Sequence, residues 1–187
     1  MAFNTLFDAG LTAYLQENAD HPDRLWVFQH IPKCAGTSFS QELARRLKKF
    51  KNLHIDYSAP ESTQPTQWGT GVQNCIARHQ ASPVRLLTGP LRMPYVETLR
   101  AAAPDLRLIL MLRDPVQRSI SDFRAQLSPS HPNFEQFRQR YATIDDYLGA
   151  PQNSGDRIYK FLRLPGETAR DVAQRVGVHH TLMNYYF

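Results

Sequence analysis

Short apolar runs alternate along this chain with stretches in which apolar residues recur every three or four positions. Leu25–Ile31 (LWVFQHI) is an apolar-rich run broken only by Gln29 and His30, and it predicts a buried strand. After Gly36 the apolar residues Phe39, Leu43, Leu47 and Phe50 fall at intervals of four, four and three, the spacing of a helix facing a core. Leu53–Tyr57 (LHIDY) alternates and predicts a second strand. Residues 58–68 are rich in proline and glutamine and predict a long loop, continuing through a weakly helical Gly71–His79 to Pro83.

Val84–Thr88 predicts a third strand, ended by Gly89 and Pro90, and Pro94–Ala102 a helix with proline in its first turn. Leu106–Leu112 (LRLILML) has the strongest strand character in the chain. Asp114 and Pro115 then suit the N-cap and first position of a helix, with Gln117 completing a capping box and Val116, Ile120, Phe123 and Leu127 as its apolar stripe. Further helices are expected over Phe134–Tyr141, Ile144–Leu148, Gly155–Leu162 and Glu167–Val176. Alternating strands and helices predict an α/β fold, a parallel sheet covered by helices in three layers, with ligands at the carboxyl ends of the strands. The organisation expected is a single domain over 1–187: an N-terminal amphipathic helix in 1–23, a binding core in 24–127 and a helical part in 128–187.

Composition narrows the function classes. Apolar residues make up 42% and charged residues 21%, as in ordinary globular domains. No apolar run reaches the roughly 20 residues of a membrane-spanning helix, and the first twenty residues do not read as a signal peptide. Cys34 and Cys75 form no CxxC pair, so a reducing, cytoplasmic setting is expected. The net charge of +5 favours anionic ligands. No zinc-finger or RNA-binding aromatic motif is present, so nucleic acid is not expected as a partner. His179 and His180 lack further ligands at metal spacing, and no metal is expected.

Two seams between strand and helix hold the candidate chemistry. In the first, Pro32–Ser38 (PKCAGTS), free backbone N–H groups and the helix dipole favour an anion. Gly36 allows close approach, Lys33 adds a mobile charge, and Thr37 and Ser38 add hydroxyl donors. Plain capping by Thr37 or Ser38 over a solvated Lys33 is the competing reading. The spacing is not that of the triphosphate-binding loop GxxxxGK[ST], because the lysine precedes the glycine. In the second, Arg113 ends a strand and can hold a phosphate through its planar fork. Ser121 points about 130° away from the apolar stripe of its helix. A surface pair between Arg113 and Asp114, with a solvent-facing Ser121, is the alternative. Both seams are expected on one rim of the sheet.

Together the seams resemble the sulfotransferases that use 3′-phosphoadenosine 5′-phosphosulfate (PAPS), particularly the carbohydrate branch with the heparan sulfate 2-O-sulfotransferases and related bacterial proteins. HIPKCAGTS (His30–Ser38) resembles that family's 5′-phosphosulfate loop, usually HIPKT[AG]GTS. RDPVQRSISDF (Arg113–Phe123) resembles its 3′-phosphate motif, RDPxxRxxSx[YF]. The resemblance implies a P-loop-like fold and sulfuryl transfer from PAPS to a hydroxyl, with adenosine 3′,5′-bisphosphate as product. The acceptor it implies is a small molecule or a carbohydrate, and the basic run Arg45, Arg46, Lys48, Lys49, Lys51 is either a solvated face or an attraction for an anionic one. It further implies that Lys33 meets the bridging oxygen, that Pro32, Lys33, Cys34, Ala35, Gly36, Thr37 and Ser38 form the 5′ site, and that Arg113 and Ser121 hold the 3′-phosphate. Arg118 braces the motif or touches ligand.

The general base departs from the pattern. Relatives of the 2-O type have a histidine after the third strand, where this chain has Pro90. Another branch uses a glutamate on the helix after the phosphate loop, and that position here is Glu42; His79 is the second candidate, with a structural loop histidine as its competing role. His30 is expected to brace the strand end. Trp68 is expected either to stack on a sugar or to pack. A PAPS-binding protein without turnover, or a small-molecule kinase, remains the alternative function.

Overall fold

A computed structural model of the chain describes residues 23–57, 59–150, 153 and 156–175. The expected N-terminal helix and His179–His180 lie outside the described residues. Four strands, β1 (Trp26–Gln29), β2 (Phe50–Asn52), β3 (Leu86–Gly89) and β4 (Arg107–Leu110), form one sheet in the order β2-β3-β1-β4, every pair parallel. The described helices are α1 (Gly36–Arg46), α2 (Gln64–Ala81), α3 (Met93–Ala102), α4 (Pro115–Gln126), α5 (Phe134–Arg140), α6 (Ile144–Gly149), α7 (Asp156–Leu162) and α8 (Ala169–Arg175). This is the α/β architecture that the alternation of elements predicts, with the P-loop-like parallel sheet that the motif resemblance implies. Among the described residues no helix is long and apolar enough to cross a membrane.

The central strands β1 and β3 carry the buried apolar residues, with Val27, Phe28, Leu86 and Leu87 fully enclosed. On one face they meet Trp68, Val72 and Cys75 of α2 and Val96 and Leu99 of α3. β4, the run with the strongest strand signal, is half-buried along its length and lies at the end of the sheet order. Hydropathy alone does not distinguish a central strand from an edge strand covered on its faces.

Three expectations are corrected. The second strand is Phe50–Asn52 rather than Leu53–Tyr57, and Phe50 is a half-exposed strand residue, not part of the α1 stripe. Leu53 and Ile55 are buried while His54 and Asp56 are exposed, so the alternation did report burial. The Leu53 N–H still reaches the Thr88 carbonyl at 2.8 Å, but β3 ends one residue later and the pairing stops.

The expected loop of 58–83 instead contains the longest described helix, α2, entered through the 3₁₀ turn Glu61–Thr63. Gly69, Gly71 and the β-branched Thr66, Thr70 and Val72 lower its intrinsic propensity. Tertiary burial of Trp68, Val72 and Cys75, at helical spacing, outweighs that cost. Trp68 packs rather than facing solvent: it is 2% exposed and its indole N–H donates to the Pro90 carbonyl at 2.9 Å.

The third correction concerns α4. Asp114 does cap it, accepting the Gln117 backbone N–H at 2.8 Å. The buried face, however, is polar: Arg118, Ser119 and Asp122 are enclosed, whereas Val116 is 53% exposed. Asp122 accepts a 2.6 Å hydrogen bond from the Tyr147 hydroxyl, and Tyr147 packs with Phe123, Phe137 and Tyr141. A buried carboxylate with a hydroxyl partner takes the place of an apolar stripe.

Gln29 ties the upper rim together. Fully buried at the end of β1, its side-chain amide donates to the carbonyls of Leu91, after β3, and Phe161, in α7, at 2.9 and 3.0 Å. Replacing Gln29 by Leu keeps the volume but strands both carbonyls, and is expected to cost about 2–4 kcal/mol. Urea unfolding checks this, and a midpoint shift worth less than about 0.5 kcal/mol would show the tie to be idle.

Candidate active site at the carboxyl edge of the sheet

β1 and β4 run side by side in register, with Gln29 opposite Leu110. The chain therefore leaves both strands at the same level, and three or four residues on reaches Lys33 from one and Arg113 from the other. The Arg113 guanidinium donates to the Lys33 carbonyl at 3.4 Å, joining the two seams directly. Between them opens a cavity of about 450 Å³. Pro32, Lys33, Ala35, Gly36, Thr37 and Ser38 line it from the first seam, and Arg113 and Ser121 from the second. His30, Asn52, His54, Tyr57, Gly89 and Pro90 line the rest among polar and turn residues. Among the described residues no carboxylate lines this cavity.

The first seam has an unusual backbone. Lys33 and Ala35 take left-handed conformations, with φ of 67° and 61°. For residues with a Cβ this costs roughly 1–2 kcal/mol each. Alternating hands of this kind turn successive N–H groups toward a common concavity that suits an anion. Ala35 is the N-cap of α1 and makes no side-chain capping bond, so the helix start is left to another acceptor. Thr37 and Ser38 do not cap; both are exposed on the cavity wall, which disposes of the plain-capping reading. Ser40 instead turns back to the Gly36 carbonyl at 2.6 Å.

Gly36 serves a purpose besides close approach. A Cβ there would stand 2.1 Å from Cδ2 of His30, so the missing side chain makes room for the imidazole. His30 also stacks on Phe28 at 5.8 Å, and burial lowers its pKa, keeping the ring neutral near pH 7. Cys34 lies behind the loop, its side chain packed with Ile31, Ile158, Leu162 and Val172. Burial raises its thiol pKa, against opposing effects of Arg118 and Arg113, and Cys34, expected in the 5′ site, is not among the residues that line the cavity.

The structure does not bring either expected base to the cavity. Glu42 is exposed on the outer face of α1, bonded to Arg46 at 2.8 Å and Arg45 at 3.4 Å. The hydrogen bond from Arg46 is the main cause holding its carboxyl below the usual range. Counting along the helix gave the right turn but not the direction of the side chain. His79 lies at the opposite edge, where its Nδ1 accepts the Val84 N–H at 3.1 Å just before β3 begins. Its competing role as a structural histidine is the observed one. His54 and Tyr57 were missed because the second strand was placed three residues late; with β2 at Phe50–Asn52, residues 53–57 fall on the rim.

A family model of the sulfotransferase family matches residues 20–170. The chain belongs to that family. The match spans both seams, the whole sheet and every helix through α7. No curated protein and no solved structure matches the chain. Sulfuryl transfer is therefore the general activity of the family to which the chain belongs.

Substituting Gly36 by Ala should force His30 or the start of α1 to move, costing about 1–3 kcal/mol in a thermal or urea melt. Removing the ring in a Gly36→Ala, His30→Ala double variant should recover at least half of the loss attributed to Gly36→Ala when compared with His30→Ala alone. Strict additivity of the two changes would show that the ring and the glycine are not coupled.

Proposed function

We propose that the protein is a PAPS-dependent sulfotransferase acting on a hydroxyl acceptor, carbohydrate by its motif resemblance. The observation that carries the reading is one cavity, with no carboxylate among its described lining residues, bordered by Lys33, Thr37 and Ser38 on one side and by Arg113 and Ser121 on the other. One cradle would suit any phosphate; two, joined through Arg113 and Lys33, suit a molecule phosphorylated at both ends of a ribose. The uncapped α1 terminus and the left-handed turns at Lys33 and Ala35 fit the 5′ end.

PAPS, when bound, supplies the sulfuryl group and leaves as adenosine 3′,5′-bisphosphate. The first-turn N–H groups of α1, with Thr37 and Ser38, hold the 5′-phosphate, and Arg113 and Ser121 hold the 3′-phosphate. Lys33 offsets the negative charge that gathers on the bridging oxygen as the sulfur–oxygen bond breaks and its electron pair stays with the bisphosphate. The acceptor oxygen forms the new bond to sulfur, and its proton must go to a base. His54 is assigned that role: with no carboxylate among the described lining residues the histidines are the bases at hand, and His30 is fixed between Phe28 and Gly36.

Titration calorimetry with adenosine 3′,5′-bisphosphate and with AMP tests the donor site. The bisphosphate should bind at least about tenfold more tightly, and Arg113→Ala should erase the difference, since a charge-assisted pair is worth about 1.5–3 kcal/mol. Equal affinity for AMP in the unaltered protein would remove the basis for PAPS and favour an ordinary nucleotide such as ATP.

The base is tested by turnover with labelled PAPS. His54→Ala should lower kcat by about 10² or more while bisphosphate affinity changes less than about twofold. Glu42→Gln should leave kcat within about twofold, its carboxylate being engaged by Arg45 and Arg46. A collapse of turnover in Glu42→Gln, with His54→Ala unaffected, would reverse the assignment.

A further inference from the structure

A second cavity, about 410 Å³, opens on the other side of Lys33. It shares Pro32, Lys33 and Tyr57 with the first, so the same lysine borders both. Its other walls belong to different elements: Gln64 and Trp68 of α2, Arg92 before α3, Arg118, Asp122, Ala125 and Gln126 of α4, then His131 and Phe161. None of this second wall is used by the donor site proposed above.

The chemistry of the wall is one-sided. Arg118 is 3% exposed and forms no ion pair or side-chain hydrogen bond with any described residue. Its guanidinium nitrogens are not sealed away from the cavity that the residue lines, and a guanidinium has five N–H groups to offer an acceptor there. Arg92 lies over the Trp68 ring at 4.4 Å, a contact through its face that leaves the edge donors of the guanidinium available. Nδ1 of His131 accepts the Asn133 N–H at 3.3 Å, so the neutral ring carries its proton on Nε2 and offers a donor. Lys33, Arg92 and Arg118 thus face one carboxylate, Asp122, which already accepts the Tyr147 hydroxyl at 2.6 Å.

The geometry points to this second cavity as the acceptor site, selective for a hydroxyl compound that carries its own carboxylate or other acid group, held by Arg118 and Arg92. The inference rests on the sulfotransferase reading for the word acceptor; the anion preference of the cavity stands on its own walls. An acid group seated on the two arginines brings a neighbouring hydroxyl to the Lys33 side, where the two cavities meet. Each charged hydrogen bond so formed is made in a desolvated place, and a neutral analogue would leave Arg118 without a partner.

Trp68 lies in the wall and reports occupancy. In a Trp26→Phe background it is the chain's single tryptophan. The probes are gluconate and its neutral counterpart sorbitol, titrated by Trp68 fluorescence into protein saturated with adenosine 3′,5′-bisphosphate. Gluconate is expected to bind at least about tenfold more tightly than sorbitol. Arg92→Gln should reduce that preference to about twofold or less without altering bisphosphate affinity, and Arg118→Lys should weaken it less than Arg118→Gln. Equal response to both probes, no response to either, or a preference surviving in Arg92→Gln overturns the inference. Displacement of gluconate by the bisphosphate also overturns it, since the two would then share the first cavity. If the bisphosphate itself does not bind, the donor reading fails instead, and the gluconate–sorbitol comparison on the free protein still decides the charge preference of the second cavity.

Discussion

The level parallel pairing of β1 with β4 is the constraint from which the site follows. Gln29 stands opposite Leu110 and Gly89, so three strands end on one line. A slip of two residues would carry one seam about 6.6 Å past the other and separate Arg113 from the Lys33 carbonyl. Parallel pairing also obliges each strand to be followed by a crossover, and the crossover helices begin where the strands end. Of the helix N-termini that arrive at this edge, those of α1 and α4 follow the two seams. One is left uncapped by any side chain, while the other is closed by Asp114. That difference separates a terminus open to a ligand from one fixed for structure.

The proposed anion site needs its donors held ready before the anion arrives, and the loop from Pro32 to Ala35 meets this at a cost. Two left-handed residues with side chains persist only where their surroundings over-determine them. Here Cys34, between the two, is packed into the cluster of Ile31, Ile158, Leu162 and Val172, which holds the loop from behind. His30 holds it from the front by occupying the space above Gly36. The strain at Lys33 and Ala35 is thus balanced by burial on one side and ring packing on the other. Cys34 in this chain stands where the resembling motif has threonine, and a thiol suits that apolar cluster without an unsatisfied hydroxyl.

Much of the candidate site is legible in the sequence because it resides in short continuous segments. Lys33, Gly36, Thr37, Ser38, Arg113 and Ser121 each follow directly from a strand end and a helix start, and a parallel sheet brings such ends together without further information. What was not legible depends on which way a side chain faces. Glu42 lies on the expected turn but toward solvent, because Arg45 and Arg46 supply partners there. α2 was hidden by its glycines, although Trp68, Val72 and Cys75 kept helical spacing. β2 was hidden because an edge strand of Phe50, Lys51 and Asn52 has no apolar pattern, and its displacement took His54 and Tyr57 off the rim. Local spacing reports elements; the polarity of the surroundings reports roles, and that is settled only by packing.

The failure of the apolar stripe on α4 has the same origin and bears on chemistry. A helix at the edge of a binding site is not required to present oil to a core. Ser121 opens on the first cavity and Arg118 and Asp122 on the second, so α4 borders both. Its rotation is fixed at one end by the Asp114 cap and further along by the bond from Tyr147 to Asp122. Turning the helix by one residue, about 100°, would take Ser121 out of the first cavity and Arg118 out of the second at once. The buried aromatic cluster around Tyr147 is therefore tied to both candidate cavities: through a single carboxylate it fixes the orientation of polar groups on two walls.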